Sequence, residues 1–182
     1  MDQSISITTE RLKLRPLIRA DAQEFFSYRS LPEVGLFQSW QPAKMNEVQA
    51  FLAKNESASL DTLDAWYQLA ICLPDGQLIG DIGLHTLEHR QLEIGYTLSP
   101  MFQGTGYAAE AVRAVVREAF TVWNKHRITA SVDPDNHASI RLLERLGFRK
   151  EAHHRKSYWM RGKWTDDCIY AMLQEEYGNA HR

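Results

Sequence analysis

One stretch, Leu92 to Glu110 (LEIGYTLSPMFQGTGYAAE), limits the choice of fold more than any other. The β-branched and aromatic residues Ile94, Tyr96 and Thr97 fit a pleated strand, and Pro100 ends its ladder. A turn with two glycines follows, Gln103-Gly104-Thr105-Gly106. Ala108, Ala111, Val112, Val115, Val116, Ala119 and Phe120 then recur at i, i+3, i+4 spacing, which predicts a helix with one buried face. Strand, glycine turn and helix outline an anion site. Glycines let the backbone approach a ligand closely, and the first helical turn presents unpaired N–H groups at the positive end of the helix dipole.

The flanking sequence predicts the frame around that unit. Ile5, Ile7, Leu12, Leu14 and Leu17 suggest a first strand with a local irregularity, Asp21 a helix cap, and Pro32 that helix's end. An irregular stretch with Phe37 and Trp40 leads into a helical pattern at Val48, Phe51 and Leu52. Trp66 to Leu73 and Leu78 to Leu84 read as a hairpin around Pro74-Asp75-Gly76, and Glu88-His89-Arg90 as a turn into the strand at Leu92. Beyond the long helix come a strand over Arg127 to Val132, a helix from Asn136 to Leu146 stopped by Gly147, and two strands around Arg161-Gly162-Lys163. The order gives one α/β (α+β) domain over residues 1–182, with a mixed, mostly antiparallel central sheet flanked by helices.

Composition excludes several classes. With 182 residues the chain buries a core without metals or disulfides. A net charge of -2 and a pI near 6.4 supply no overall basic field, so direct nucleic-acid binding is not expected. Cys72 and Cys168 lie far apart without CxxC spacing, which suits a reducing compartment. Neither a signal-like start nor a bilayer-length apolar run is present, so a cytoplasmic protein without membrane contact is expected, as a monomer or homodimer.

The glycine turn alone admits more than one ligand. No Lys-Ser or Lys-Thr follows it, which excludes a P-loop. Gly104, Gly106 and Ala109 match G-x-G-x-x-A, with Asp133 as a conceivable ribose acid. A dinucleotide fold, however, sets its glycines directly after a buried parallel strand, whereas Ser99 to Phe102 intervene here behind an antiparallel meander.

Gln103-Gly104-Thr105-Gly106-Tyr107-Ala108 resembles the Q/R-x-x-G-x-G/A acetyl-coenzyme A pyrophosphate loop of the GNAT superfamily of N-acetyltransferases. Thr9-Glu10-Arg11-Leu12, Glu93-Ile94-Gly95-Tyr96, Asn136-His137-Ala138-Ser139, Leu146-Gly147-Phe148, Arg161 to Asp166 and Tyr170 to Leu173 agree in order. Together they resemble the ribosomal-protein N-terminal acetyltransferase branch over nearly the whole chain. The resemblance implies a GNAT fold, acetyl-CoA as acetyl donor and direct attack of a primary amine on the thioester. The first expected acceptor is a protein N-terminal α-amine. A small amine such as an aminoglycoside, a polyamine or an amino-acyl antibiotic is the alternative, and a non-catalytic acyl-CoA sensor is the rival.

By the same resemblance, backbone amides of Gln103, Gly104, Thr105, Gly106, Tyr107 and Ala108 bind the pyrophosphate. Tyr96, Thr97 and Leu98 offer main-chain groups to the pantetheine. Asn136 lies near the pantetheine or simply caps its helix. Ser139 lies near the thiol, and since Leu143 stands where many relatives carry a tyrosine acid, Ser139 or a water it holds takes that role. Glu93 is the candidate base, with an exposed strand residue or an arginine partner as the plainer reading. Tyr158 is a weaker candidate base, because an ordinary phenol holds its proton to about pH 10.

Phe37, Trp40, Tyr158, Trp159 and Trp164 are candidate acceptor contacts, while Trp66 and Trp123 read as packing. No metal site is expected. His85 and His89 fall on strand and turn rather than one helix face, and His153-His154 point to opposite sides of a strand.

Overall fold

The computed structural model describes residues 5–180. Two short strands open the chain, β1 (Ile7–Thr8) and β2 (Lys13–Pro16). They pair antiparallel, with Ile7 opposite Leu14, so the irregularity expected in one strand is a turn between two. Helices α1 (Ala22–Arg29), α2 (Pro32–Gly35) and α3 (Met45–Glu56) follow. Pro32 does not mark the end of α1; it starts α2, because its fixed φ suits the first helical position and its missing N–H is not needed there. Asp21 precedes α1 but its side chain accepts no capping hydrogen bond from it; the carboxylate instead accepts from Ile18 N at 2.9 Å and pairs with Arg15 at 2.7 Å.

The meander is β3 (Ala65–Cys72), β4 (Leu78–Leu87) and β5 (Gln91–Leu98). Helix α4 (Tyr107–Thr121), strand β6 (Arg127–Val132), helix α5 (His137–Arg145), strands β7 (Arg149–Met160) and β8 (Lys163–Leu173) and a closing helix α6 (Gln174–Ala180) complete the order. Helix α6 has no counterpart in the sequence reading. The eight strands form one sheet in the order β1-β2-β3-β4-β5-β6-β8-β7. Among the described strands, only β5 and β6 pair in parallel.

Strand periodicity divides the core. Tyr67, Leu69 and Ile71 of β3 join the α4 side, where Val112, Val115, Val116, Ala119 and Phe120 are buried with Leu142 and Leu143 of α5. Ala70 and Cys72 face Phe25, Tyr28, Val48 and Leu52 of α1 and α3. Each large apolar side chain buried this way contributes about 1.5–3 kcal/mol.

Two polar assemblies cross these layers. Asp81 of β4 is fully buried; it accepts from Tyr28 Oη at 2.7 Å and from Arg29 Nη2 at 2.6 Å. Burial first, and then the Asp81 charge, push the Tyr28 hydroxyl well above its ordinary value. The other assembly explains Thr9-Glu10-Arg11-Leu12. Thr9 Oγ1 donates to Glu110 Oε1 at 2.6 Å, Arg11 N to the same oxygen at 2.9 Å, and Arg11 Nη2 pairs with Oε2 at 2.7 Å. Burial acts to raise the Glu110 pKa, but the Thr9 and Arg11 hydrogen bonds and the Arg11 charge outweigh it and hold the carboxyl below its ordinary 4.5.

Asp81→Ala leaves Arg29 buried without its carboxylate, so we expect a loss of about 3–5 kcal/mol, read as a lower urea midpoint at unchanged slope. Glu110→Gln is expected to cost about 1–2 kcal/mol, allowing for solvent screening at the partly exposed Arg11. Because the folded carboxyl lies below the ordinary value, that difference is fully present above pH 4.5. It vanishes as pH falls through the folded value. Unfolding of wild type and variant from pH 7 to pH 3 would record it.

Candidate active site

Strands β5 and β6 pair over Gln91–Arg127, Leu92–Ile128 and Glu93–Thr129, and then separate. Each remains paired on its other side, β5 to β4 out to Leu98 and β6 to β8 out to Val132. The sheet therefore opens between them into a cleft of about 800 Å³. Ile94 to Leu98 line one wall and Ala130 to Val132 the other.

The glycine turn closes one end. Gly104 and Gly106 adopt φ +76° and +88°, a left-handed backbone that favours glycine, and a β-carbon at Gly104 would meet nothing within 4 Å. Gly106 directly precedes α4, so the unpaired first-turn amides of that helix begin at the cleft. Arg11 braces the turn from behind. Its Nη1 donates to Thr105 O at 3.2 Å, and its guanidinium lies 4.6 Å from the centre of the Tyr107 ring.

The residues expected around the cofactor come together. Tyr96, Thr97, Leu98, Gln103, Gly104, Gly106, Tyr107, Ala108, Asn136 and Ser139 all line the cleft. Thr105 belongs to the turn, but its hydroxyl donates back to Phe102 O at 2.8 Å. Gln103 Nε2 donates to Leu98 O at 3.0 Å and ties the turn to the end of β5. Asn136 caps α5, its side chain accepting from Ser139 N at 3.2 Å, and it also lines the cleft.

The cleft fits an acyl-CoA. Beyond Glu93 the edge of β5 that faces β6 has no strand partner, and the buried Thr97 Oγ1 lacks a hydrogen bond. Such groups suit an amide-bearing arm laid between the strands.

Ser139 is tied to the side chain of Tyr96, a residue expected to offer only main-chain groups. Its Oγ lies 2.6 Å from Tyr96 Oη, and burial pushes the Tyr96 hydroxyl up to about 12, with the Ser139 hydrogen bond opposing. Leu143 is fully buried in the core and offers the site nothing. Glu93 reaches the cleft partly exposed, and its Oε2 lies 3.1 Å from Nδ1 of His85, not beside an arginine. From sequence alone His85 stands out only as a metal-ligand candidate, which its place on a strand argues against. With the turn centred on Glu88-His89-Arg90, its position opposite Glu93 was readable from the hairpin register.

The acceptor aromatics divide. Phe37 and Tyr158 line the cleft. Trp40 instead stacks on Phe51 at 4.8 Å and on Phe25 at 6.3 Å, where it packs α1 against α3. Trp159 and Trp164 pair edge-to-face at 5.2 Å and are each 57% exposed, outside the cleft lining. Neighbours along a strand point to opposite faces, so placing Tyr158 and Met160 in the lining turns Trp159 away. Trp66, expected in the core, lines the cleft and is 43% exposed. Trp123 follows the end of α4 and packs half-buried against the core.

Further lining residues had no signal in the sequence, among them Glu33 and Gln38 after α1 and Arg141 of α5. Among the described residues no group of three or more His, Cys, Asp or Glu could hold a metal ion. No helix among them is long and apolar enough to cross a membrane.

The model of the acetyltransferase (GNAT) domain matches residues 11–149. The chain is 31% identical over 173 residues to the uncharacterized N-acetyltransferase YnaD of Bacillus subtilis (strain 168), covering 94% of this chain and 98% of that protein. It is 24% identical over 173 residues to spermidine N(1)-acetyltransferase of Escherichia coli (strain K12), covering 94% and 90%. The crystal structure of a GNAT-family acetyltransferase from Bacillus anthracis superposes with a TM-score of 0.86 at 28% identity, over 94% of this chain and all of that one. With an open sheet, a glycine turn at a helix start and a family match over most of its length, this chain belongs to the GNAT acetyltransferases and is an acetyl-CoA-dependent N-acetyltransferase.

Proposed function

We propose that the chain acetylates a primary amine of a small cationic acceptor of the polyamine kind, with Glu93 as the base. The observation that carries this reading is the charge of the cleft. Glu33, Glu93, Asp133, Asp166 and Asp167 line it against only Arg141 and Arg145, both from α5, and no lysine. A wall of that sign favours a cation over a neutral or acidic acceptor.

Arg161, at the β7–β8 turn, donates to Gly35 O and so joins the hairpin to the segment after α1, both of which contribute residues to the cleft lining. The spermidine acetyltransferase among the relatives adds to the small-amine reading. The α-amine of a protein N-terminus, favoured by the sequence motifs alone, is the competing acceptor.

Bound acetyl-CoA supplies a thioester to an amine that has lost its extra proton. The protein's tasks are to bind, to take that proton and to stabilise the sulfur anion that leaves. Glu93 supplies a carboxylate on the cleft wall at the point where the strands part. The Tyr96–Ser139 pair supplies hydroxyl hydrogens. A phenol pushed up to about 12 is a weaker acid than an ordinary thiol. The pair therefore gives a sulfur anion a hydrogen bond rather than a proton.

Glu93→Gln is expected to lower kcat by about 10²-fold or more while acetyl-CoA affinity by calorimetry stays unchanged; a wild-type rate would remove Glu93 as base. Tyr96→Phe keeps the ring but frees the Ser139 hydroxyl, and a loss of up to about tenfold in kcat is expected without a change in acceptor KM. Thiol release measured across polyamines, aminoglycosides and N-terminal peptides tests the acceptor. A kcat/KM that is highest for peptides would overturn the polyamine assignment, and binding of acetyl-CoA without turnover of any amine would favour a sensor.

A further inference from the structure

His85 stands between two carboxylates. Its Nδ1 lies 3.1 Å from Glu93 Oε2, and its Nε2 lies 3.1 Å from Asp64 Oδ1. The first contact is a cross-strand pair, because His85 of β4 and Glu93 of β5 are register partners. The second comes from the residue just before β3. Asp64 sits at φ 55°, a left-handed conformation in which aspartate is over-represented, and its N donates to Thr86 O at 2.9 Å.

The ring is held in plane as well. The indole of Trp66 stacks on the imidazole at 4.9 Å with 19° between the planes. That indole lies over Gly83 and Gly95, which face each other on β4 and β5. A β-carbon on Gly83 would come within 2.8 Å of the indole, and one on Gly95 within 3.8 Å. Two positions without side chains thus make the seat for the indole that covers His85.

We propose that Glu93 and His85 act as one proton acceptor, with Asp64 and Trp66 as positioning residues. The inference rests on Glu93 being the base. A neutral imidazole has one N–H, and ionised carboxylates only accept. With that hydrogen on Nε2, directed to Asp64, the Nδ1 lone pair faces the Glu93 carboxylate, and the pair lacks one proton to complete its hydrogen bond. The acceptor ammonium supplies it. The N–H bond breaks, its electron pair stays on the nitrogen, and the proton comes to rest between Glu93 Oε2 and His85 Nδ1. Imidazolium character that develops is balanced by Glu93 on one side and Asp64 on the other. After product departure the proton passes to water in the open cleft.

The charged groups facing the imidazole are Glu93 from β5 and Asp64 from the start of β3; the Trp66 ring covers it without charge. Glu33 adds a carboxylate to the same cleft. None of these is a cation that would oppose proton uptake.

Four variants, His85→Gln, His85→Ala, Asp64→Asn and Glu93→Gln, would be compared by kcat/KM across pH. Acetyl-CoA protection against heat would be followed in each to establish that it folds and binds the donor. Glutamine can still hydrogen-bond Glu93 but takes up no proton. His85→Gln and His85→Ala are expected to lose about tenfold or more in kcat/KM, with a moved acid limb because one member of the proton-accepting pair is gone. Asp64→Asn, at an exposed site with little packing to lose, is expected to fall in the same direction by less.

Wild-type activity and profile in His85→Gln would overturn the proposal and reduce the histidine to a prop. A loss in His85→Gln with the acid limb unmoved would overturn it too. Should Glu93→Gln itself retain wild-type turnover, the base assignment fails, an outcome distinct from a failure at His85 alone.

Discussion

β5 and β6 hold each other over three residue pairs and then part, while each keeps its partner on the far side. Backbone N–H and C=O groups must find partners, so a sheet that opens in its middle needs something to fill the opening. The walls are stiff because the remaining ladders are long, β4 to β5 over Gly80–Leu98 to Leu87–Gln91 and β6 to β8 over all of Arg127–Val132. The opening is therefore a preformed slot. It lies directly above the parallel contact, and Glu93 is the last residue of β5 in that contact.

The chemistry gathers at this point for a geometric reason. Glu93 on the last paired position and Tyr96 three residues on belong to one strand, one beside His85 and the other reaching Ser139. Strand alternation sends side chains three apart to opposite faces, and both faces are reachable only where the sheet is split. On the proposed mechanism, proton uptake and stabilisation of the leaving sulfur fall on either side of the same slot. The glycine turn at its far end is kept from collapsing by Arg11, which links β1 and β2 to α4 through Glu110 and to the turn through Thr105.

Much of this was legible because it is local. The amphipathic face of α4, the Asn136 cap of α5, the span of β6 and the glycine turn are each written in consecutive residues. Pairings between distant segments were not. Asp81 reads as an ordinary polar residue in a strand until α1 brings Arg29 and Tyr28 onto it. Tyr96 and Ser139 meet only because α5 closes over the opening. The tryptophans show the same limit from the other side. An aromatic residue carries a strong burial preference but no address, so Trp40 and Trp66 exchanged their expected places.

The proposed acceptor end is the part least determined by any one segment. It draws on Glu33, Phe37 and Gln38 after α1, Trp66 of β3, and Tyr158, Met160 and Thr165 of the β7–β8 hairpin. Two tethers bring these pieces into register. Arg29, anchored on the buried Asp81, also donates to Gln38 Oε1 at 3.1 Å, and Arg161 reaches from the hairpin to Gly35. A change at Gln38, Gly35 or the hairpin tip would reshape the acceptor pocket without touching the glycine turn or the open strands. On the proposed assignment, donor recognition rests on backbone geometry and acceptor recognition on side chains from separate segments. That separation is why a motif in Leu92 to Glu110 identifies acetyl-CoA while the acceptor has to be argued from the charge and tethering of residues scattered across the chain.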